Sequence, residues 1–509
     1  MPAGSNVHPA RNSARFAEFL ARLNYESYAV AAGLRDEANL TAVFKSYSDL
    51  FGKPQVLAER AAVGAAGSAE ELRRARLRLV ERANHYLSAG TQRLADEVET
   101  WKLRAELVFE GRGVAYHMAQ PLLRNLPERG RRAELAEAFA RLTASLRPLM
   151  LERWAATYDL VEDLCGLSYA DAYAGWKQLP VGRLVALAKA SLRATDDLYR
   201  RELDYYARRY VGVGAGEVAW FDFPRILRGD EWDEYFPAAG ILPALRATAA
   251  GLRVGLERRQ NIRLDLEPRP NKSPRAFCAG VRVPEEVYLV AKPSGGHRDY
   301  EEVLHEAGHA FHFGLTDPAL PWELRCLLDD TVAETFAYQT AALLRSAEYL
   351  DARLGMPARD ATAFAAYANF IELYMFRRYC AKTLYEAELH RRQKLELSSD
   401  LYALRMKEAV GVSVPGDFGL AEMDGGLYSF QYLSAWFLQA SLNKHLVGTY
   451  GARWFESGGA GALLRGLWGR GATHDAESLL AVCGERALSA GPLLASFGLP
   501  PEARPAGPS

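Results

Sequence analysis

The stretch His305-Glu306-Ala307-Gly308-His309 constrains this chain more than any other. On a helix, two histidines four apart share a face about one turn apart, so both imidazoles reach a single metal ion. The surrounding residues fit a helix. Val303, Leu304, Ala307, Ala310 and Phe311 recur at near-helical spacing, and Asp299-Tyr300-Glu301-Glu302 has the pattern of a capping box with Asp299 at the N-cap. Zinc suits a pair of neutral imidazoles, and three protein ligands leave its fourth position open for water. Glu306, beside the first histidine, is placed to take a proton from that water.

A metal helix of this kind needs a second element to bring a third ligand. A helix expected over roughly 329–345 carries Thr331-Val332-Ala333-Glu334-Thr335, and its apolar neighbours Val332, Ala333, Phe336 and Ala337 turn Glu334 inward. Twenty-four residues separate His309 from Glu334. That is enough to finish the first helix, reverse through Asp317-Pro318 and Leu320-Pro321, and run a second helix alongside. An arrangement with a third histidine six residues after His309, and a glycine between, fails because Leu315 and His312 occupy those positions. The expected set is therefore His305, His309 and Glu334 on one zinc ion per chain, with Glu306 as base. His312 is expected to pack rather than bind metal, and Asp330 to act as a helix-start charge.

Composition narrows the partners. A formal net charge of −1 over 509 residues gives no long-range field for nucleic acid or an anionic membrane surface. Arginines are plentiful in the first third, but acids interleave with them, as in Glu70-Glu71-Leu72-Arg73-Arg74, the pattern of a solvated helix face. The five cysteines (Cys165, Cys278, Cys326, Cys380, Cys483) are scattered and odd in number, which fits a reducing compartment. The first residues lack the build of a secretory signal, and no apolar run approaches a bilayer span, so a cytoplasmic location is expected.

Helical patterning dominates from about 13 to 210, with breaks at Gly52-Lys53-Pro54, at Gly64 to Gly67, and at Pro121, Pro127 and Pro180. The run Val211-Gly212-Val213-Gly214-Ala215-Gly216 predicts a linker. The expected organisation is an N-terminal helical region over 1–210, a catalytic region over 211–500 and a disordered tail over 501–509. One stretch breaks the helical trend: 275–283 and 287–291 are β-prone runs joined by Pro284-Glu285-Glu286, which predicts a small hairpin just before the motif helix. A strand exposed beside a metal can bind an extended peptide through main-chain hydrogen bonds. The loop Ser294-Gly295-Gly296-His297 follows it.

His305 to His312, then Val332-Ala333-Glu334-Thr335, with the hairpin in front, resembles the thimet oligopeptidase and oligoendopeptidase F family of zinc peptidases, in which two histidines and a distal glutamate (a gluzincin set) hold the ion. Further on, Asp424-Gly425-Gly426-Leu427-Tyr428-Ser429-Phe430-Gln431-Tyr432 resembles the family's glycine- and tyrosine-rich loop. The resemblance is specific over 275–345, fair to about 442, and general before 211. It implies a mainly α, neurolysin-like fold, a two-lobed helical shell around a deep channel with zinc on its floor. It also implies hydrolysis of internal bonds in short unstructured peptides by a monomer or homodimer, with loop tyrosines Tyr428 and Tyr432 as oxyanion donors. Two positions depart from the family: there is no histidine between His390 and His445, and Phe430 stands where a tyrosine is usual. The alternatives are a zinc carboxypeptidase, with Arg377-Arg378 near the substrate's carboxylate, a protease dedicated to maturing one peptide, and a peptide-binding protein with inactive zinc.

Overall fold

The computed structural model describes residues 9–37 and 39–500, so the expected tail lies outside the described residues. Among those residues helices dominate, as the periodicity predicts, and strands form two small sheets. No helix among them is long and apolar enough to cross a membrane. The chain divides into two compact units, each built from three separate segments. The first takes Met1–Tyr86, Trp232–Ala365 and Leu438–Ala487; the second takes Leu87–Glu231, Ala366–Phe437 and Leu488–Ser509. The expected border at 210/211 is a break in secondary structure, where helix Asp196–Val211 stops at a left-handed Gly212 (φ 73°). Both sides of that break belong to the second unit.

In the first unit the predicted hairpin is present and is part of a larger sheet. Strands Phe277–Arg282 and Glu286–Val290 pair antiparallel, with Cys278 opposite Leu289, and a bulge between Gly280 and Arg282 closes the ladder. A third strand, Ile262–Asp265, pairs parallel to Glu286–Val290 and makes it the central strand. At four residues the added strand is too short to announce itself in the sequence. The central strand is buried through Val287, Leu289 and Val290, while Phe277–Arg282 is an outer strand that meets the motif helix. Helix Pro9–Ala31 also packs on this sheet. Its Tyr28 stacks on Tyr288 with ring centres 3.9 Å apart, and its Asn24 Nδ2 donates to the Gly280 carbonyl at 3.0 Å.

The motif helix spans His297–Leu315 and buries the expected stripe of Val303, Leu304, Ala307, Ala310 and Phe311, together with Tyr300. It starts three residues earlier than the capping pattern predicts, with Gly296 rather than Asp299 at the N-cap. Gly295 and Gly296 (φ 96° and 90°) turn the chain into the helix, and Asp299 sits in the first turn, where its carboxylate accepts from the Ser294 and Gly295 amides. The second helix, Asp330–Ala341, is where the sequence puts it, with the Asp329 carboxylate capping the Val332 amide at 3.2 Å. The two helices meet at Gly308. A Cβ there would lie 2.6 Å from both the Ala337 Cα and the Phe336 carbonyl oxygen.

The second unit holds a feature the helical reading of 13–210 misses. Glu106–Phe109 and Arg112–Ala115 form a hairpin, closed by Glu110 and Gly111 in the left-handed region (φ 50° and 73°). This is the two-residue turn whose twist matches paired strands, with glutamate in a place usually taken by asparagine or aspartate.

Gly308→Ala tests the helix contact. Alanine is the better helix former by about 1 kcal/mol, but overpacking against backbone typically costs about 1–3 kcal/mol, and here the obstructing atoms cannot rotate away. We expect a net loss of about 2 kcal/mol in urea unfolding. A variant as stable as wild type would mean the helices do not touch at this point.

Candidate active site

His305, Glu306 and His309 project from the half-buried face of the motif helix, and Glu334 comes from the second turn of Asp330–Ala341. His305 Nε2 lies 3.4 Å from one Glu334 carboxylate oxygen and His309 Nε2 lies 3.6 Å from the other. Ligand atoms of all three residues fall within 4.8 Å of one another. An ion bound tetrahedrally at about 2.0–2.1 Å sets its donors about 3.3–3.4 Å apart. The two separations, each to a different Glu334 oxygen, lie close to that edge, and the donor set of two imidazoles and one carboxylate suits zinc, so the residues fit the ion the sequence implies.

Packing fixes the ring positions. His305 meets the Tyr338 ring edge-on at 5.4 Å, and His309 stacks on Phe313 at 5.8 Å. Burial lowers the His309 pKa to about 4, which keeps its imidazole neutral and able to ligate. Burial lowers His305 as well, but the hydrogen bond and charge of Glu334, followed by Glu306 and Glu301, outweigh it and leave a raised pKa. His312 packs, as expected: it is buried, 5.0 Å from the Phe336 ring, with Nε2 3.4 Å from the Gly471 carbonyl.

Glu306 is positioned by the sheet. Its carboxylate accepts a hydrogen bond from the Cys278 amide of the outer strand. Burial raises its pKa to about 7, with the nearby Glu334 adding to the rise and His305 and the Cys278 amide opposing it. A carboxyl group poised near neutrality both accepts and returns a proton readily. The sequence showed the glutamate; the amide that orients it depends on strand register and was not legible there.

Tyr428 and Tyr432 belong to the second unit, and the structure brings them together with each other. The expected loop is a single turn, Gly425–Leu427, followed at once by helix Tyr428–Tyr450. The two tyrosines are therefore an i, i+4 pair on a helix, with rings edge-to-face at 4.6 Å. They stay half-buried while Ser429, Phe430, Gln431 and Leu433 are buried. Phe430 thus occupies a core position, and the departure there removes no exposed hydroxyl. The turn before them is held from beneath. Gly426 (φ 69°) donates its amide to the Tyr169 hydroxyl at 2.6 Å, Lys382 Nζ meets Asp424 at 2.5 Å, and Ser429 Oγ donates to Glu386 at 2.5 Å.

Glu386 and Lys382 are functional candidates the sequence reading missed, although their four-residue spacing within a long apolar helix was visible. Burial raises the Glu386 pKa to about 7, against the pull of Lys382 and the Ser429 hydrogen bond. Asp424, Tyr158, Tyr169 and Tyr385 also face it. Its folded pKa lies above the ordinary 4.5, so folding takes up a proton there. This contribution is fully present below about pH 4.5 and is lost as pH rises toward 7. In thermal unfolding between pH 5 and 8, Glu386→Gln should gain stability relative to wild type as pH rises. A constant difference would mean Glu386 ionises normally.

No protein-family model and no curated protein sequence matches the chain. Solved structures do. An oligoendopeptidase F candidate from Bacillus anthracis str. Ames superimposes with a TM-score of 0.67 at 12% identity, covering 96% of this chain and 89% of that one. PZ peptidase A, solved with an inhibitor, superimposes with a TM-score of 0.67 at 13% identity, covering 96% of this chain and 90% of that one. At such identities the likeness is one of fold, and it runs nearly end to end: this chain has the mainly α fold of oligoendopeptidase F and PZ peptidase A.

Proposed function

We propose that this chain is a zinc-dependent oligopeptidase of the thimet oligopeptidase and oligoendopeptidase F family, cutting internal bonds of short unstructured peptides. The observation that carries the proposal is the meeting of His305, His309 and Glu334 at ligand spacing, with Glu306 held beside them by an outer-strand amide. The fold shared with two peptidases supports it. Five free cysteines are in keeping with a cytoplasmic enzyme.

Held by His305, His309 and Glu334, zinc would supply a Lewis acid that polarises the scissile carbonyl and lowers the pKa of the attacking water. Glu306 takes that water's proton on its carboxylate and returns it to the leaving nitrogen. The Cys278 amide keeps the carboxylate aimed, and burial keeps its affinity for a proton high. The outer strand Phe277–Arg282 offers main-chain groups to an extended peptide, which favours unfolded substrates and asks little of their side chains. On the family resemblance, Tyr428 and Tyr432 supply the donor to the oxyanion.

The carboxypeptidase alternative loses its cation. Arg377 is buried, not a surface residue, and donates to the Ala409 and Leu192 carbonyls, Thr195 and Asp196, while Arg378 pairs with Glu422. Both are committed within the second unit.

A quenched fluorescent peptide of intermediate length, blocked at both ends, tests the proposal. Zinc-loaded wild type should cleave it internally, and Glu306→Gln should bind zinc equally well while losing nearly all turnover. Cleavage retained by Glu306→Gln would remove the glutamate from the base role, and no cleavage by zinc-loaded wild type would remove the endopeptidase reading. With the same peptide, Tyr428→Phe or Tyr432→Phe should lower kcat on the order of 100-fold with little change in KM. If neither does, the tyrosines are packing residues.

A further inference from the structure

The first turns of helix Ala69–Arg104 do not behave as the solvated face their charge pattern suggests. Arg73 is largely buried and makes three bonds, all within the first unit. Its Nη2 donates to the Asp329 carboxylate at 2.8 Å and to the His474 carbonyl at 2.7 Å, and its Nε donates to the Ala472 carbonyl at 2.9 Å. Asp329 is the residue whose other oxygen caps the helix carrying Glu334. The segment Arg73 grips, around 472–474, follows Gly471, whose carbonyl lies against His312 of the motif helix. Next to Arg73, Arg74 and Arg78 close on Glu323 at 3.2 and 2.7 Å. Glu323 is 1% exposed and sits in the short helix Trp322–Cys326, which links the two ligand-bearing helices.

These bonds answer a need created by the site. The backbone contact at Gly308 sets how closely the two helices approach, but leaves them able to slide and turn. A slip of one residue moves a helix by about 1.5 Å and turns its side chains by about 100°, which would carry Glu334 out of reach of the histidines. Fixing the start of the Glu334 helix against a segment that also touches the motif helix removes that freedom. A planar guanidinium with several donors in a fixed fork can hold three acceptors at once; an ammonium cannot do so in the same geometry.

We propose that Arg73, supported by Arg74 and Arg78, is a positioning residue for the metal centre: it locks the Asp329 cap so that Glu334 meets His305 and His309 at ligand spacing. The proposal rests on the zinc reading of those three residues.

The test is zinc affinity of the full chain by chelator competition, together with the visible spectrum of the cobalt-substituted protein. Arg73→Gln should raise the zinc Kd about 10- to 100-fold, the range for residues that orient metal ligands, and should alter the cobalt bands. Arg73→Lys should rescue little. Asp329→Asn preserves capping, since asparagine caps as well as aspartate, but loses the charge that Arg73 holds. It should reproduce the loss, and the double variant should be no worse than either single one. Arg93→Gln, an exposed arginine on the same helix, should match wild type. If Arg73→Gln does not fold, Asp329→Asn decides alone. Wild-type Kd and spectrum in both variants, even with lowered thermal stability, would overturn the positioning role and leave the metal reading intact. A wild type that binds no zinc would overturn the metal reading itself.

Discussion

The meeting of His305, His309 and Glu334 depends on two helix backbones touching at Gly308. His305 and His309 lie on one helix and Glu334 on the other, so the distance between their donor atoms depends on how the two helices approach and on their register. Glycine at 308 lets the Phe336 carbonyl and the Ala337 Cα approach where any side chain would stand. The donor separations of 3.4 and 3.6 Å follow from that approach. Other features of the first unit act on the same pair of helices. The sheet supplies the amide that aims Glu306, the Asp329 cap fixes where the second helix starts, and Phe313 and Tyr338 orient the two imidazoles.

Electrostatics point the same way as geometry. The charge of Glu334 raises Glu306, in surroundings dry enough to hold Glu306 near pKa 7 and His309 near 4. Burying two acids and two imidazoles together is costly for a structure with no use for them. The arrangement would become favourable around a dication held by Glu334 and the two imidazoles, which would leave Glu306 free to exchange a proton. Structural stability alone would be served better by apolar residues in these positions.

The divide between what the sequence reveals and what it hides follows the range of the interactions. The cluster of His305, His309 and Glu334 was legible because both helices announce themselves locally: His305 and His309 by their spacing, Glu334 by its apolar neighbours, and the start of the second helix by Asp330. The misses each depend on a distant partner or on unusual turn chemistry. Arg73 reads as solvated because Asp329 lies 256 residues away. Ile262–Asp265 reads as coil because four residues become a strand only beside Glu286–Val290. The hairpin at Glu106–Ala115 hides behind a glutamate in a left-handed turn position, and Asp299 mimics a cap although the glycines before it already start the helix. The two units are invisible to any linear division, because each gathers segments from three parts of the chain.

The second unit applies a related principle to a different problem. Leu427 adopts a left-handed conformation (φ 55°) immediately before Tyr428. Such a conformation in a residue other than glycine persists only where its surroundings over-determine it. Here they do: Tyr169 holds the Gly426 amide, Lys382 holds Asp424, and Glu386 holds Ser429, so the turn is tied on both sides of the strained residue. Three of these partners, Lys382, Glu386 and Tyr169, are buried, and burying Lys382 and Glu386 costs desolvation that an apolar floor would avoid. That cost is reasonable if the direction of the first helical turn matters more than the stability of the turn itself. Tyr428 and Tyr432, half-exposed on that turn and the next, are the side chains whose direction it sets. A loop of the kind the sequence suggests would leave them to find their orientation with each substrate, whereas a helix started by a pinned turn fixes it in advance.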